Sequence, residues 1–167
     1  MILTKSELLD SLQNEVRILL HLASKIDRSQ LDYRPTPKQR STLELLQYLS
    51  YMGPMMLRYA KREQLDQDAW AEVVKNAGSR GFDETLAAIA AHSDTYAALL
   101  ADMDDAAFRA EVAGSNGATS CGSFIVNRVI AQCAAYRTQL FMYLKACGRE
   151  ELNTMNLWLG ADPPAAV

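Results

Sequence analysis

The stretch AQCAAYRTQL, residues 131–140, sets polar and aromatic groups four apart and follows them with Arg-x-Gln-Leu. That is the frame of a metal-binding helix with no histidine in it. Gln132 and Tyr136 are neighbours on one helix face, bracketed by Val129 and Leu140. Transition-metal sites use neutral imidazole, thiolate or carboxylate. A phenol with a pKa near ~10 keeps its proton at neutral pH, and an amide carbonyl is a weak ligand.

Other candidate groups are few. The chain has two histidines. His21 lies opposite the apolar stripe of its helix and is expected to be exposed. His92, three residues after Ile89 and four before Tyr96, sits at the margin of an inward face, as a boundary histidine or a pocket-lining one. Cys133 has the character of a small buried apolar residue. A His92–Cys133 pair is the least that a makeshift metal or nucleophile site would need, and the spacing gives no sign of one. Two histidines so placed build no Ser-His-Asp arrangement. The Gly/Ser-rich stretch 114–123 lacks the lysine and strand of a phosphate-binding loop and is expected to be a plain connection.

The elements that must position these groups follow from periodicity. Thr4 with Glu7 is a capping-box pattern opening a helix over residues 4–26, with Leu9, Leu12, Val16, Leu19, Leu20, Ala23 and Ile26 as its stripe. The prolines of DYRPTPKQR end it. Ser41 with Glu44 opens a second helix, in which Pro54 predicts a kink. A weak helical segment follows near residues 65–81, and Asp83 is expected to cap a third helix ending near Met103. The fourth runs from about Ser123 to Cys147 and stops at Gly148. EELNTMNLWLG predicts a packed turn and ADPPAAV a frayed end. No segment sustains a two-residue alternation. The fold class is all-α: a four-helix bundle with a long crossover between helices 2 and 3.

Two of these helices carry a resemblance. STLELLQYLSYMG, preceded by a proline-bearing loop, resembles the second helix of the DinB-like family, where such a loop precedes Ser-x-x-x-Leu-Leu-x-His-Leu. IAQCAAYRTQLFMYLKACG resembles that family's last helix, His-x-x-x-His-Arg-x-Gln-Leu with a glycine soon after. The resemblance spans the whole chain in topology and length. It implies a divalent metal such as zinc or nickel held by three histidines, and a metal-dependent thiol transferase or hydrolase.

Carried over, the ligand positions are Tyr48, Gln132 and Tyr136, and none is a histidine. Arg137, Gln139 and Leu140 keep the pattern after the last ligand. Tyr48, three residues after Leu45 and four before Met52, is on an inward stripe, so all three should converge. We therefore expect a metal-free bundle with no cofactor, acting as a small-molecule-binding or protein-interaction module. Tyr48, Gln132 and Tyr136 should form a mutual network with Arg137, Gln139 or a water, with Met52, His92 and Cys133 as further pocket-lining residues. The resemblance also implies a homodimer, for which the Met/Tyr-rich second helix offers a surface.

Composition bounds the rest. At 167 residues the chain is one domain by length, expected to comprise residues 1–160, with 161–167 as a flexible tail. An apolar share of 49% and a charged share of 22% are those of a globular protein. The net charge of −3, without a block of Lys or Arg, argues against nucleic acid as partner. No apolar run approaches the ~20 residues that span a bilayer, and the start lacks a signal-peptide pattern. A cytoplasmic location and no membrane partner are the expectations, with the three cysteines as reduced thiols.

Overall fold

The computed structural model describes residues 3–63, 66–114 and 117–164. Helix α1 (Lys5–Ala23) opens on the expected capping box. Glu7 N–H donates to the Thr4 hydroxyl at 3.2 Å, and Thr4 N–H donates to the Glu7 carboxylate at 2.7 Å. Helix α2 (Thr42–Ala60) repeats it with Ser41 and Glu44, at 3.2 and 2.7 Å. Each box satisfies two amides that otherwise have no partner at a helix start. The crossover contains α3 (Gln67–Gly78), capped by the Asp66 carboxylate.

The third helix of the bundle is two helices, α4 (Phe82–Ala90) and α5 (His92–Leu100), broken at Ala91. Its N-cap is Gly81, whose N–H donates to Glu84 at 2.9 Å. Asp83, expected as the cap, instead pairs with Arg28 at 2.6 Å, a pair exposed on both sides. After the short α6 (Asp105–Arg109) the expected plain loop is a hairpin, β1 (Glu111–Gly114) with β2 (Gly117–Ser120), Val112 facing Thr119. The last helix begins earlier than expected, as α7 (Cys121–Ile125) capped by Ser120. It passes through a π turn (Val126–Ile130) into α8 (Ala131–Ala146). It stops where expected, at Gly148 with φ 92°, sealed by the Arg149 N–H donating to the Leu144 carbonyl at 3.0 Å, a glycine-closed helix end.

The bundle core lies between α1, α2, α4–α5 and α7–α8. Leu12, Leu22, Leu45, Leu46, Ile89, Leu100, Ile125 and Leu140 are 0–1% exposed there. A second π turn (Met155–Leu159) then folds back on the outer side of α1. It covers Ile18, which is 1% exposed. It also corrects the reading of His21 as exposed. That side chain retains 15% exposure and lies 3.2 Å from the Nδ2 of fully buried Asn156. The face of α1 that periodicity assigns to solvent is taken by a segment from the far end of the chain. Asp162, within the stretch expected to fray, pairs with Lys25 at 2.6 Å; residues 165–167 lie outside the described residues. Among the described residues no helix is long and apolar enough to cross a membrane.

Pro54 does not break α2. A proline has no N–H for the carbonyl four residues back, here that of Ser50. The ring of His92, on α5, supplies the substitute: its Nε2 lies 2.8 Å from the Ser50 oxygen and donates to it, which fixes the Nε2–H tautomer. Next door, a Cβ on Gly53 would stand 2.0 Å from the Tyr96 hydroxyl oxygen. Gly53 and Pro54 thus bring α2 and α5 into close contact, and His92 closes the gap in the backbone bonding.

Burial pushes the His92 imidazole down to about 4 from the ordinary 6.5. A base whose folded pKa is depressed stabilises the fold above its unfolded pKa, and that contribution is lost as pH falls from about 6.5 towards 4. His92→Leu, which leaves the Ser50 carbonyl without a donor, should cost about 1–3 kcal/mol in urea unfolding at pH 7.5. His92→Gln keeps a donor and removes the titration, so it should flatten the fall in stability between pH 6.5 and 4.5. An unchanged pH dependence in His92→Gln contradicts this account.

Candidate functional site

Helices α2 and α8 bring the three carried-over positions together. Gln132 Nε2 donates to the Tyr48 hydroxyl at 2.8 Å, and the Tyr136 ring meets Tyr48 edge-on, with centroids 5.0 Å apart at 63°. Tyr51 adds a second edge contact at 5.6 Å and leads on to Trp70 at 6.4 Å. The Arg40 guanidinium covers the Tyr48 ring at 4.0 Å from its centroid, a cation–π geometry worth ~0.5–1 kcal/mol when exposed. Tyr48, Gln132 and Tyr136 are each half-buried.

The chemistry of this set is that of a packed polar seam. Burial, followed by the hydrogen bond with Tyr136, raises the Tyr48 phenol above its ordinary pKa. A metal ligand needs the opposite shift, towards phenolate. The Gln132 amide donates one of its two N–H groups to the phenol. Two tyrosine side chains and an amide joined in this way do not fit zinc or nickel. Among the described residues no three His, Cys, Asp or Glu side chains come together as a metal site.

The further candidates divide. Met52, His92 and Cys133 line, with Gln132, a cavity of about 20 Å³ inside the bundle. Burial pushes the Cys133 thiol up to about 12, so it stays a thiol and is no nucleophile. Arg137 and Gln139 direct their donors elsewhere. Arg137 is 3% exposed and ties α8 to α1 and to the C-terminal turn: its Nε lies 3.2 Å from the Glu15 carboxylate, and it donates to the Leu157 carbonyl. Burial holds the Glu15 carboxyl above its usual range, outweighing the pull of Arg137. Gln139 donates to the Tyr143 hydroxyl at 2.6 Å, and Tyr143 donates to the Arg40 carbonyl at 3.0 Å. Gln139 therefore acts at a distance, by anchoring the loop whose Arg40 lies over Tyr48.

Residues that the sequence reading passed over are Arg40, Glu15 and Trp70. Glu15 had a usable signal: Leu12, Glu15, Val16 and Leu19 share one face by the three- and four-residue rule, so a carboxylate stands inside an apolar stripe. The contact of Arg40 with Tyr48 depends on the fold of a proline-rich loop and has no periodic signature. Outside the bundle a groove of about 450 Å³ lies between α2, the hairpin and the π turn that precedes α8. Met52, Met56, Tyr59, Phe124, Arg128 and Gln132 are among its walls.

Comparison with known proteins agrees at the level of the fold. No family model matches the sequence, and no curated protein matches it. Among solved structures, the crystal structure of a DinB-like protein, YjoA, from Bacillus subtilis superposes with a TM-score of 0.66. That match has 13% sequence identity and covers 88% of this chain and 96% of that one. At such identity the likeness concerns architecture: this chain is an all-α bundle with the fold of a DinB-like protein.

If the Tyr48–Gln132 contact is part of the packing, Gln132→Leu takes from the half-buried Tyr48 hydroxyl one of its two partners and should destabilise by about 1 kcal/mol in urea unfolding. Adding Tyr48→Phe removes that hydroxyl and should recover most of that loss, because replacing both partners by apolar groups is nearly neutral. Additive losses in the double variant would show that the two residues do not interact.

Proposed function

We propose that this protein is a metal-free DinB-like bundle that works as a binding module, with the groove between α2, the hairpin and the π turn as its surface for a small organic molecule. The observation that carries this reading is the 2.8 Å hydrogen bond from Gln132 to Tyr48. It joins two of the three positions where the fold's metal chemistry would require ligands. A metal-dependent thiol transferase or hydrolase must make a metal-bound water or thiolate, and these donors are suited to holding neither. The groove has the character of a ligand surface. It is within the ~300–1,000 Å³ of small-molecule sites, and its wall combines two flexible methionines with Tyr59, Phe124 and the amide of Gln132.

A second reading is that α2 pairs with another copy of the chain. Tyr59 is 43% exposed on that face, and Met and Tyr are enriched at interfaces. Light scattering at micromolar concentration should then give twice the 18.5 kDa chain mass; a monomer mass rules the pairing out.

For the principal reading, the protein purified without a histidine tag should contain far less than one equivalent of zinc, nickel, iron or manganese by elemental analysis. One tightly held metal per chain would overturn it.

A further inference from the structure

The π turn Met155–Leu159 is seated on α1 through one buried amide. Asn156 is 0% exposed, and both ends of its side chain are bonded. Its Oδ1 accepts from the Asn153 N–H at 2.9 Å, and a backbone N–H can only donate, so the amide has one orientation. Its Nδ2 donates to the Asp162 carboxylate at 2.9 Å and meets the His21 Nε2 at 3.2 Å. His21 must therefore accept at Nε2, as the neutral ring with its proton on Nδ1. A protonated ring would set N–H against N–H. The remaining ties of the turn do not titrate near neutral pH. Arg17 donates to the Leu159 and Gly160 carbonyls at 2.9 and 3.1 Å, and Gly160, at φ 55°, packs directly on Ile18.

We propose that the C-terminal turn is an acid-released strap, docked on α1 while His21 is neutral and undocked when His21 takes up a proton. The charges around the ring act on both sides of this balance. Burial is the largest influence, and with Lys25 and Arg17 on α1 it holds the imidazole below its ordinary 6.5, against the pull of Asp162. The π turn itself carries no charged residue. Asp162 lies 3.7 Å from Nε2, but it is already held by Lys25 at 2.6 Å and by Asn156. An imidazolium could turn to Asp162 only by displacing the amide that bonds to both, which itself unseats the turn. The sign follows from linkage. The released ring binds its proton with ordinary affinity and the docked ring more weakly. Docking is therefore at full strength above about pH 6.5 and weakens as pH falls through the lower, docked value. Release uncovers Ile18, otherwise 1% exposed, and takes the Leu157 carbonyl from Arg137. Arg137 is the ion-pair partner of Glu15, which lines the cavity inside the bundle, so the strap reaches the interior.

The two tryptophans separate local release from unfolding. Trp158 is in the turn, its ring centroid 5.7 Å from the Arg137 guanidinium, and Trp70 is in α3. The test is an NMR titration of the whole protein from about pH 8 to about pH 5, following the two indole N–H signals and the two histidine rings. The Trp158 signal should shift with the same midpoint as the His21 ring, below 6.5, while Trp70 stays in place. His21→Gln retains an acceptor for the Asn156 amide and does not titrate, so it should hold Trp158 at its neutral-pH position throughout. His92→Gln, at the other histidine, should leave the Trp158 response intact. A Trp158 signal that ignores the His21 titration, a response that survives in His21→Gln, or a Trp70 signal that moves with the same midpoint would each overturn the proposal.

Discussion

The hydrogen bond between Gln132 and Tyr48 is the interaction on which the candidate site depends, because it joins α2 to α8 through polar groups that are half out of water. A polar group in that position must find a partner or destabilise the fold. In this chain the partners are found within the protein. The phenol takes the amide, Tyr136 closes on its edge, and Arg40 covers its face. The same economy appears further in. The Ser50 carbonyl left over by Pro54 is met by His92, and the buried Arg137 is met by Glu15 and the Leu157 carbonyl. The bundle is held by its leucines, but what distinguishes this one from a generic bundle is a seam of polar groups that meet across helices, in which Glu15 Oε2 and Arg137 Nε stay within ion-pair distance without a hydrogen bond.

That seam also explains which parts of the molecule the sequence discloses. The capping boxes at Thr4 and Ser41 announce two helix starts, because the cap and its glutamate are three residues apart whatever the tertiary context. Tyr48, Gln132 and Tyr136 can be placed on inward faces because each falls three or four residues from a core leucine, valine or methionine. The break at Ala91 is invisible: neither glycine nor proline marks it. The hairpin strands are four residues each, too short for alternation to register. The π turn before α8 adds a phase shift that no residue type signals, yet it lies directly ahead of Gln132 and helps to set where the amide points.

Long side chains are the other source of error. Arg137 and Gln139 sit in the right register for a pocket, but their functional ends lie several bonds away. One reaches the C-terminal turn and the other Tyr143. Gln139 still bears on the candidate site, through the loop that carries Arg40. His21 fails for a related reason. Periodicity sorts a helix into two faces and cannot know that a turn from more than a hundred residues later will cover the second one. The resemblance to the DinB-like family supplies the fold correctly, whereas the donor atoms that this chain offers at the three ligand positions have to be read residue by residue.

The central claim is that the Tyr48 phenol, at one of the three positions carried over from the resemblance, is protonated and bonded to protein groups. Ultraviolet absorbance near 295 nm, where phenolate absorbs and phenol does not, reports this directly during additions of zinc or nickel at neutral pH. The account predicts no metal-dependent band and a tyrosine titration curve unchanged by the metal. A band that grows to saturation at one metal per chain and disappears in Tyr48→Phe would show a phenolate ligand and contradict it.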